Sequence, residues 1–287
     1  MKFVRVKPDR RILEATAGRA VCSVVFGERY DICMIAGLED DELVCYAIFS
    51  HIPGTDAEMY LEYLYTVPEF REQGRVRELF EYCESYLAGI GVRIINSRID
   101  IVPQYALEYN SFMTKNGFIP LNLNGRILVY DLKDMLGAET IQTVLNGRHL
   151  IPPVKKLKEI DKKYINAFLA EGNRTGFYFY KEECDDHYSR FYEADQKIHG
   201  AMIASMPVEG TLNISAIYID AQAKKNNMFL PLLCGCIEPL VNKASREKIN
   251  IIINLNDEVL YNGMLKIFNP PECERLVLEH MKYIAGR

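Results

Sequence analysis

Two segments about half a chain apart carry the same order of motifs, and this repeat constrains the fold more than any other feature. At an offset of 153 residues, segment 65–79 lies over segment 218–232. At 152, Tyr109-Asn-Ser-Phe-Met lies over Tyr261-Asn-Gly-Met-Leu, and at 149, Arg126-Ile-Leu-Val-Tyr lies over Arg275-Leu-Val-Leu-Glu. Three anchors in one order indicate two copies of one fold. The 287 residues suffice for two domains, which we place at 1–140 and 141–287, with a connection over 133–153.

Apolar periodicity predicts an α/β protein. In the first copy it indicates strands over 21–26, 32–38, 43–52, 60–67, 93–99 and 127–132, and helices over 74–89 and 103–116. In the second copy it indicates helices over 154–170, 228–244 and 258–268, and strands over 175–180, 198–205, 212–219 and 249–255.

Charge and cysteine content exclude several function classes. A net charge of −5 disfavours a nucleic-acid partner, and no stretch approaches 18 apolar residues, so we expect no membrane span. The eight cysteines form no CxxC pair, and Cys234-Gly-Cys236 lacks a nearby histidine. We therefore expect buried free thiols, no metal and a cytoplasmic location.

The segment from Tyr63 to Phe80 is the most informative part of the chain. A strand ends at Pro68, and a loop containing Gly74 leads directly into an amphipathic helix. Unpaired backbone N–H groups then converge at the positive end of a helix dipole, where an anion such as phosphate binds well. No Gly-Lys-Ser/Thr follows and GxGxxG is absent, so neither a P-loop nor a dinucleotide site is indicated.

The residues of this segment resemble the signature of the GNAT acetyltransferase superfamily, V-x-P-x-[YF]-R-x-x-G-x-[GA] between a strand and a helix. Val67 directly precedes the proline, whereas Pro68-Glu-Phe-Arg71 and Gly74 match in place, and Lys115-Asn-Gly117-Phe118 fits the end of a later helix in that family. The resemblance implies two tandem GNAT-like domains, each a mixed, mostly antiparallel twisted sheet flanked by helices.

The resemblance also implies a cofactor, acetyl-CoA or another short acyl-CoA. Its pyrophosphate would lie on the turn that follows Arg71, at the backbone of Gln73, Gly74, Arg75, Val76 and Arg77. Its pantetheine arm would follow the strand Leu64, Tyr65, Thr66 and Val67, where a backbone N–H polarises the thioester carbonyl and then faces the oxyanion. Val76 departs from the family preference for Gly or Ala, and we expect its β-branched side chain to narrow the approach to the phosphates.

Acyl transfer to an amine needs a base and a proton donor for the leaving sulfur. Glu62, two residues before Leu64, is the candidate base, and the alternative is a solvent-facing strand residue. Met113 holds the position of the family's tyrosine acid. Tyr109, one helical turn earlier, either substitutes for that acid or is a core or cleft-lining aromatic.

In the second copy, Lys224 replaces the arginine, Asn227 the glycine and Phe229 the small residue, so we interpret this copy as degenerate. The predicted function is transfer of an acetyl or short acyl group to a primary amine of a small molecule or peptide. One alternative is a non-catalytic acyl-CoA-binding or sensing protein. Another is aminoacyl transfer from charged tRNA, against which the net charge of −5 counts.

Overall fold

The computed structural model describes residues 1–16, 31–51, 55–147, 153–175 and 184–284. The strand expected over 21–26 lies outside these ranges, as does all but the first residue of the one expected over 175–180. The chain forms two compact units. The N-terminal unit comprises Met1–Leu123 and Leu276–Arg287, and the C-terminal unit comprises Asn124–Arg275. The last part of the chain, from Leu276 onward, therefore belongs to the first unit.

The N-terminal unit is a mixed sheet with helices. Its elements are β1 (Lys2–Val6), α1 (Arg10–Thr16), β2 (Ile32–Glu39), β3 (Glu42–His51), β4 (Glu58–Thr66), a 3₁₀ turn (Pro68–Phe70), α2 (Arg75–Gly89), β5 (Ile94–Ile101), α3 (Pro103–Lys115) and the start of β6 (Ile119–Asp131). The strand order is β1-β2-β3-β4-β5-β11, where β11 (Cys273–Tyr283) is the last strand of the chain. Among the strands described in this unit, β4 and β5 pair in parallel and the other pairs are antiparallel, which confirms a mixed, mostly antiparallel sheet.

Helix α2 shows how the apolar pattern produces this unit. Its buried residues recur at helical spacing and join the apolar core beneath the sheet: Leu79, Phe80, Cys83 and Leu87. Pro103 begins α3, where its missing N–H costs nothing. Gly117, just after α3, has a φ of 81°, a left-handed value that favours glycine.

The C-terminal unit repeats this order of elements. It contains the rest of β6, α4 (Leu132–Gly137), α5 (Glu139–Asn146), α6 (Lys162–Thr175), β7 (Arg190–Ala194), β8 (Lys197–Val208), β9 (Thr211–Ile219), α7 (Ala221–Lys225), α8 (Phe229–Ile237), β10 (Asn250–Leu255) and α9 (Glu258–Ile267). The strand order is β6-β10-β9-β8-β7, with β9 and β10 parallel. Glu58 pairs with Ile94 in the first unit and Thr211 pairs with Asn250 in the second, so β4 corresponds to β9 at an offset of 153 (211 − 58) and β5 to β10 at an offset of 156 (250 − 94).

Some sequence expectations fail for local reasons. The connection expected over 133–153 contains α4 and α5, because the side chain of Asp131 accepts from Lys133 N and caps the first of them. The helix expected to reach residue 244 ends at Ile237, where a 3₁₀ turn containing Pro239 follows. The periodicity missed β1, β7 and the full length of β11.

Within the described ranges, no helix is both long and apolar enough to cross a membrane. The described residues also contain no group of three His, Cys, Asp or Glu side chains placed to hold a metal. The described cysteines are free, and most are buried.

Candidate functional site

Strands β4 and β5 diverge after four paired residues. Their parallel register runs from Glu58 opposite Ile94 to Leu61 opposite Ser97, whereas β4 continues to Thr66. On its other side, β4 stays paired with β3 to its end. A cleft with one free backbone edge therefore opens beyond Leu61.

The free edge of β4 presents the backbone of alternate residues to the cleft. Val67 N donates to Val44 O at 2.9 Å, on the β3 side. In an antiparallel pair the hydrogen-bonding direction alternates, so Tyr65 also faces β3, whereas the N–H groups of Leu64 and Thr66 face away from it. The strand that the sequence assigned to the pantetheine arm thus carries unpaired donors.

The turn between β4 and α2 is shaped for an anion. In the described ranges, the N–H groups of Gln73, Gly74, Arg75 and Val76 donate to no protein acceptor, whereas Gly74 O accepts from Arg77 N at 3.0 Å. Gly74 has a φ of 79°, and a Cβ placed there would meet nothing within 4 Å. Four free donors thus surround open space at the start of a fifteen-residue helix.

The arginines around this turn differ in their freedom. Arg75 pairs with Glu39 at 2.9 Å and with Glu78 at 3.5 Å. Arg77 pairs with Glu81 at 3.1 Å. Arg71 is exposed and donates from Nε to Thr66 O at 3.3 Å, and its Nη groups have no partner in the part of the chain that the structure describes. Arg71 is therefore the arginine best placed to neutralise a phosphate at the turn.

Glu62 lies at a β-bulge where the strands diverge. Ile48 pairs with Tyr63 and Phe49 with Leu61, which leaves Glu62 without an opposite residue on β3. The half-buried carboxylate accepts a hydrogen bond from the hydroxyl of buried Ser50. The carboxylate is therefore held in place beside the cleft, which neither the base nor the solvent-facing interpretation foresaw.

Tyr109 approaches the same point from α3. Its hydroxyl lies 3.3 Å from the Oγ of buried Ser97, the last β5 residue paired with β4. Burial raises the pKa of the Tyr109 phenol, so the group is protonated at neutral pH and able to donate. Met113, in the position of the family's acid, is 1% exposed within the core.

Glu62 and Tyr109 lie on opposite faces of the sheet. Ser50, the partner of Glu62, follows the alternation of Tyr46 and Ile48, whose face is covered by α1 through Leu13. Tyr109 packs instead against the core formed with α2 and α3. The two candidate catalytic side chains thus flank the point of divergence without contacting each other.

His280 is a residue that the sequence did not single out. It lies on β11, is fully buried, and its Nε2 is 2.9 Å from Asn110 Oδ1, while its ring centroid lies 5.8 Å from that of Tyr109 in an edge-to-face arrangement. Burial lowers its pKa, which favours a neutral ring. The repeat predicts a strand near residue 275 but not that its end joins the N-terminal unit.

In the equivalent turn of the C-terminal unit, which we call the closed turn, backbone N–H groups donate to nearby backbone carbonyls. Asn227, in place of Gly74, keeps a left-handed φ of 53°. Asn226 N donates to Gln222 O, Asn227 N to Lys224 O and Met228 N to Ala223 O, at 3.0 to 3.1 Å. Three donors that are free in the first copy are therefore used in the second.

A carboxylate caps α7, the short helix that leads into the closed turn. Asp220 accepts from the N–H groups of Gln222 and Ala223 at 2.9 Å and lies 2.7 Å from His199 Nδ1. Lys224, in place of Arg71, pairs with Asp257 at 3.6 Å. Both features oppose the binding of phosphate there.

Comparison with known proteins agrees with this geometry. Residues 11–105, all within the N-terminal unit, match the family model described as Acetyltransferase (GNAT) family. A tandem GNAT protein from the clavulanic acid biosynthesis pathway is 10% identical, with a TM-score of 0.55 over 99% of this chain and 98% of that one. This chain has the tandem GNAT fold. A GCN5-related N-acetyltransferase from Sphaerobacter thermophilus is 13% identical, with a TM-score of 0.58 over 98% of this chain and 96% of that one. No curated protein sequence matches significantly.

Val76 stands where the GNAT signature has Gly or Ala. Its side chain is half-buried and packs against the apolar core of that unit. This packing favours a structural role over the expected crowding of the phosphates.

Val76→Ala is therefore expected to lower the free energy of unfolding by about 1 kcal/mol without tightening acetyl-CoA binding. Urea denaturation measures the first quantity and calorimetric titration the second. A gain of several-fold in affinity would restore the crowding interpretation.

Proposed function

We propose that this protein is an acyl-CoA-dependent N-acyltransferase whose cofactor site lies in the N-terminal GNAT unit. The observation that carries the proposal is the turn before α2, with its four free N–H donors and open space at Gly74. The same turn in the second copy has lost three of those donors to internal hydrogen bonds. The proposed cofactor is acetyl-CoA or another short acyl-CoA, and the acceptor is a primary amine of a small molecule or peptide.

The residues present fit this cofactor. The N–H groups at 73–76 would hold the pyrophosphate, Arg71 would supply a charge near it, and the free edge of β4 would take the pantetheine amides. When bound, the thioester supplies an activated acyl group. Leu64 N–H, unpaired on the cleft side, is the donor that we assign to the acyl carbonyl oxygen, where a preorganised donor acts on developing negative charge.

Glu62 and Tyr109 would divide the proton transfers. Glu62 would accept the ammonium proton through a water, with Ser50 fixing the orientation of its carboxylate. Tyr109 would hold its phenolic proton for the leaving sulfur, because burial raises its pKa. The two side chains lie on opposite faces of the sheet. This arrangement fits removal of the amine proton on one side of the thioester and protonation of the leaving sulfur on the other.

Turnover tests the proposal directly. Purified protein, acetyl-CoA and a panel of primary amines should give acylated products detected by mass spectrometry. A panel of small amines and short peptides distinguishes the two acceptor classes. Absence of acetyl-CoA binding at millimolar concentration would contradict the proposal outright.

A non-catalytic acyl-CoA sensor is the second candidate, because the acid position of the family holds the buried Met113. Saturable binding without product for any amine would favour it. The free cysteines are compatible with the reducing cytoplasm, where we expect the protein to act whichever of the two functions it has.

Glu62→Gln is expected to lower kcat by about 10² to 10⁴-fold while leaving the Kd for acetyl-CoA unchanged, because only the proton acceptor is lost. Steady-state kinetics and calorimetric titration measure the two quantities. Glu69→Gln, an exposed residue of the 3₁₀ turn, is the matched control. Equal rates for the two variants would assign Glu62 a structural role.

A further inference from the structure

A cavity of about 320 Å³ lies within the C-terminal unit, away from the turn that corresponds to the cofactor loop. Its walls come from α5, α8, the segment 153–159 and the first residue of β7. This volume falls in the range of pockets that bind small molecules.

One wall of the cavity is a buried cation. Arg190 is 5% exposed, and its Nη1 donates to His187 O at 3.0 Å and to Ser189 O at 2.8 Å. Across the ranges described, no carboxylate lies within ion-pair distance of this guanidinium. A buried charge that lacks a counterion is costly, and the two backbone acceptors offset only part of that cost.

Gly235 and the segment 153–156 make the space that the side chain of Arg190 occupies. A Cβ on Gly235 would lie 2.8 Å from Arg190 Cγ, so only glycine leaves room for the arginine stem beside α8. Glycine inside a helix costs roughly 0.5–1 kcal/mol relative to alanine. Lys155 forms a backbone bridge with Phe191, which fixes segment 153–156 against β7 next to the arginine.

The rest of the lining separates an apolar interior from a charged rim. Val144, Val154 and Pro231 supply apolar surface. Glu159 and Glu238 also line the cavity but are exposed, where water and salt screen their charges. Of the described lining residues, Arg190 is therefore the one that is both charged and buried.

We propose that this cavity binds a small organic acid, with the carboxylate on the guanidinium of Arg190 and an apolar body against the valines and Pro231. A carboxylate can accept two parallel hydrogen bonds from a guanidinium, and such a charge-assisted pair is stronger than a neutral hydrogen bond. The ligand would supply the counterion that Arg190 lacks. This site is independent of the acyl-CoA site proposed for the N-terminal unit.

Ligand-observed NMR and calorimetric titration with sodium hexanoate and sodium benzoate test the proposal. Saturable binding of an acid is expected, with at least tenfold weaker binding of its neutral analogue, 1-hexanol or benzyl alcohol. Arg190→Met should weaken acid binding at least tenfold. Arg246→Met, which removes an exposed arginine of the same unit, should leave it unchanged.

Val144→Phe provides a second variant that keeps the charge of Arg190 and fills the cavity, and it should also abolish binding. This variant decides the question if Arg190→Met fails to fold by circular dichroism. Absence of saturable binding to the wild-type protein, equal affinity for acid and alcohol, or unchanged acid binding in a folded Arg190→Met or Val144→Phe variant would overturn the proposal.

Discussion

Gly74→Asp is expected to abolish the thermal stabilisation that acetyl-CoA gives the protein, whereas Asn227→Asp in the second copy should leave it unchanged. Acetyl-CoA at one hundred times its Kd should stabilise the wild type by about 2.7 kcal/mol. A carboxylate at residue 74 would face the pyrophosphate across the open space beside the turn. Differential scanning fluorimetry with and without the cofactor measures the effect.

Gly74→Asn is the matched control, because asparagine has the size of aspartate, tolerates a left-handed φ and carries no charge. It should retain most of the stabilisation that the aspartate variant loses. Equal losses from the substitutions at Gly74 and Asn227 would mean that the C-terminal copy also binds the cofactor.

Ile284→Ala, at the end of the chain, is expected to lower the free energy of unfolding of the N-terminal unit by about 2–3 kcal/mol. Ile284 is 6% exposed in the core of that unit, and its N–H donates to Arg93 O at 2.8 Å. The residue is about 200 positions from the cofactor turn in sequence, yet its loss should weaken the same unit. Urea denaturation measures the change.

Tyr283→Ala controls for a substitution at this end of the chain, since Tyr283 is 63% exposed. It should change the free energy of unfolding by no more than about 0.5 kcal/mol. A similar cost for both variants would contradict the assignment of the last strand to the N-terminal core.

The sequence predicts features that local chemistry determines. The spacing of Leu79, Phe80, Cys83 and Leu87 defines α2, and Pro68 and Gly74 define the turn before it. The repeat extends this prediction to the second copy, since β9 and β10 pair in parallel as β4 and β5 do.

Features that depend on distant pairing could not be predicted in this way. No local sequence pattern indicates that β11 pairs with β5. The contact of His280 with Tyr109 depends on that pairing and therefore could not be predicted from the sequence. The bulge at Glu62 depends on the register of β3, and the closure of the second turn depends on hydrogen bonds that its residue types permit but do not require. Register and pairing are tertiary properties that a single strand does not encode.

The return of the last strand to the first unit has a consequence for synthesis. A ribosome makes the chain from the N-terminus. Strand β5 therefore lacks its partner β11 until residues Leu276–Tyr283 have left the exit tunnel. The open edge of β5 must wait through translation of the whole C-terminal unit, exposed to pairing with other nascent chains. Cells should therefore need a chaperone, or rapid completion of the chain, more than two independently folding domains would require.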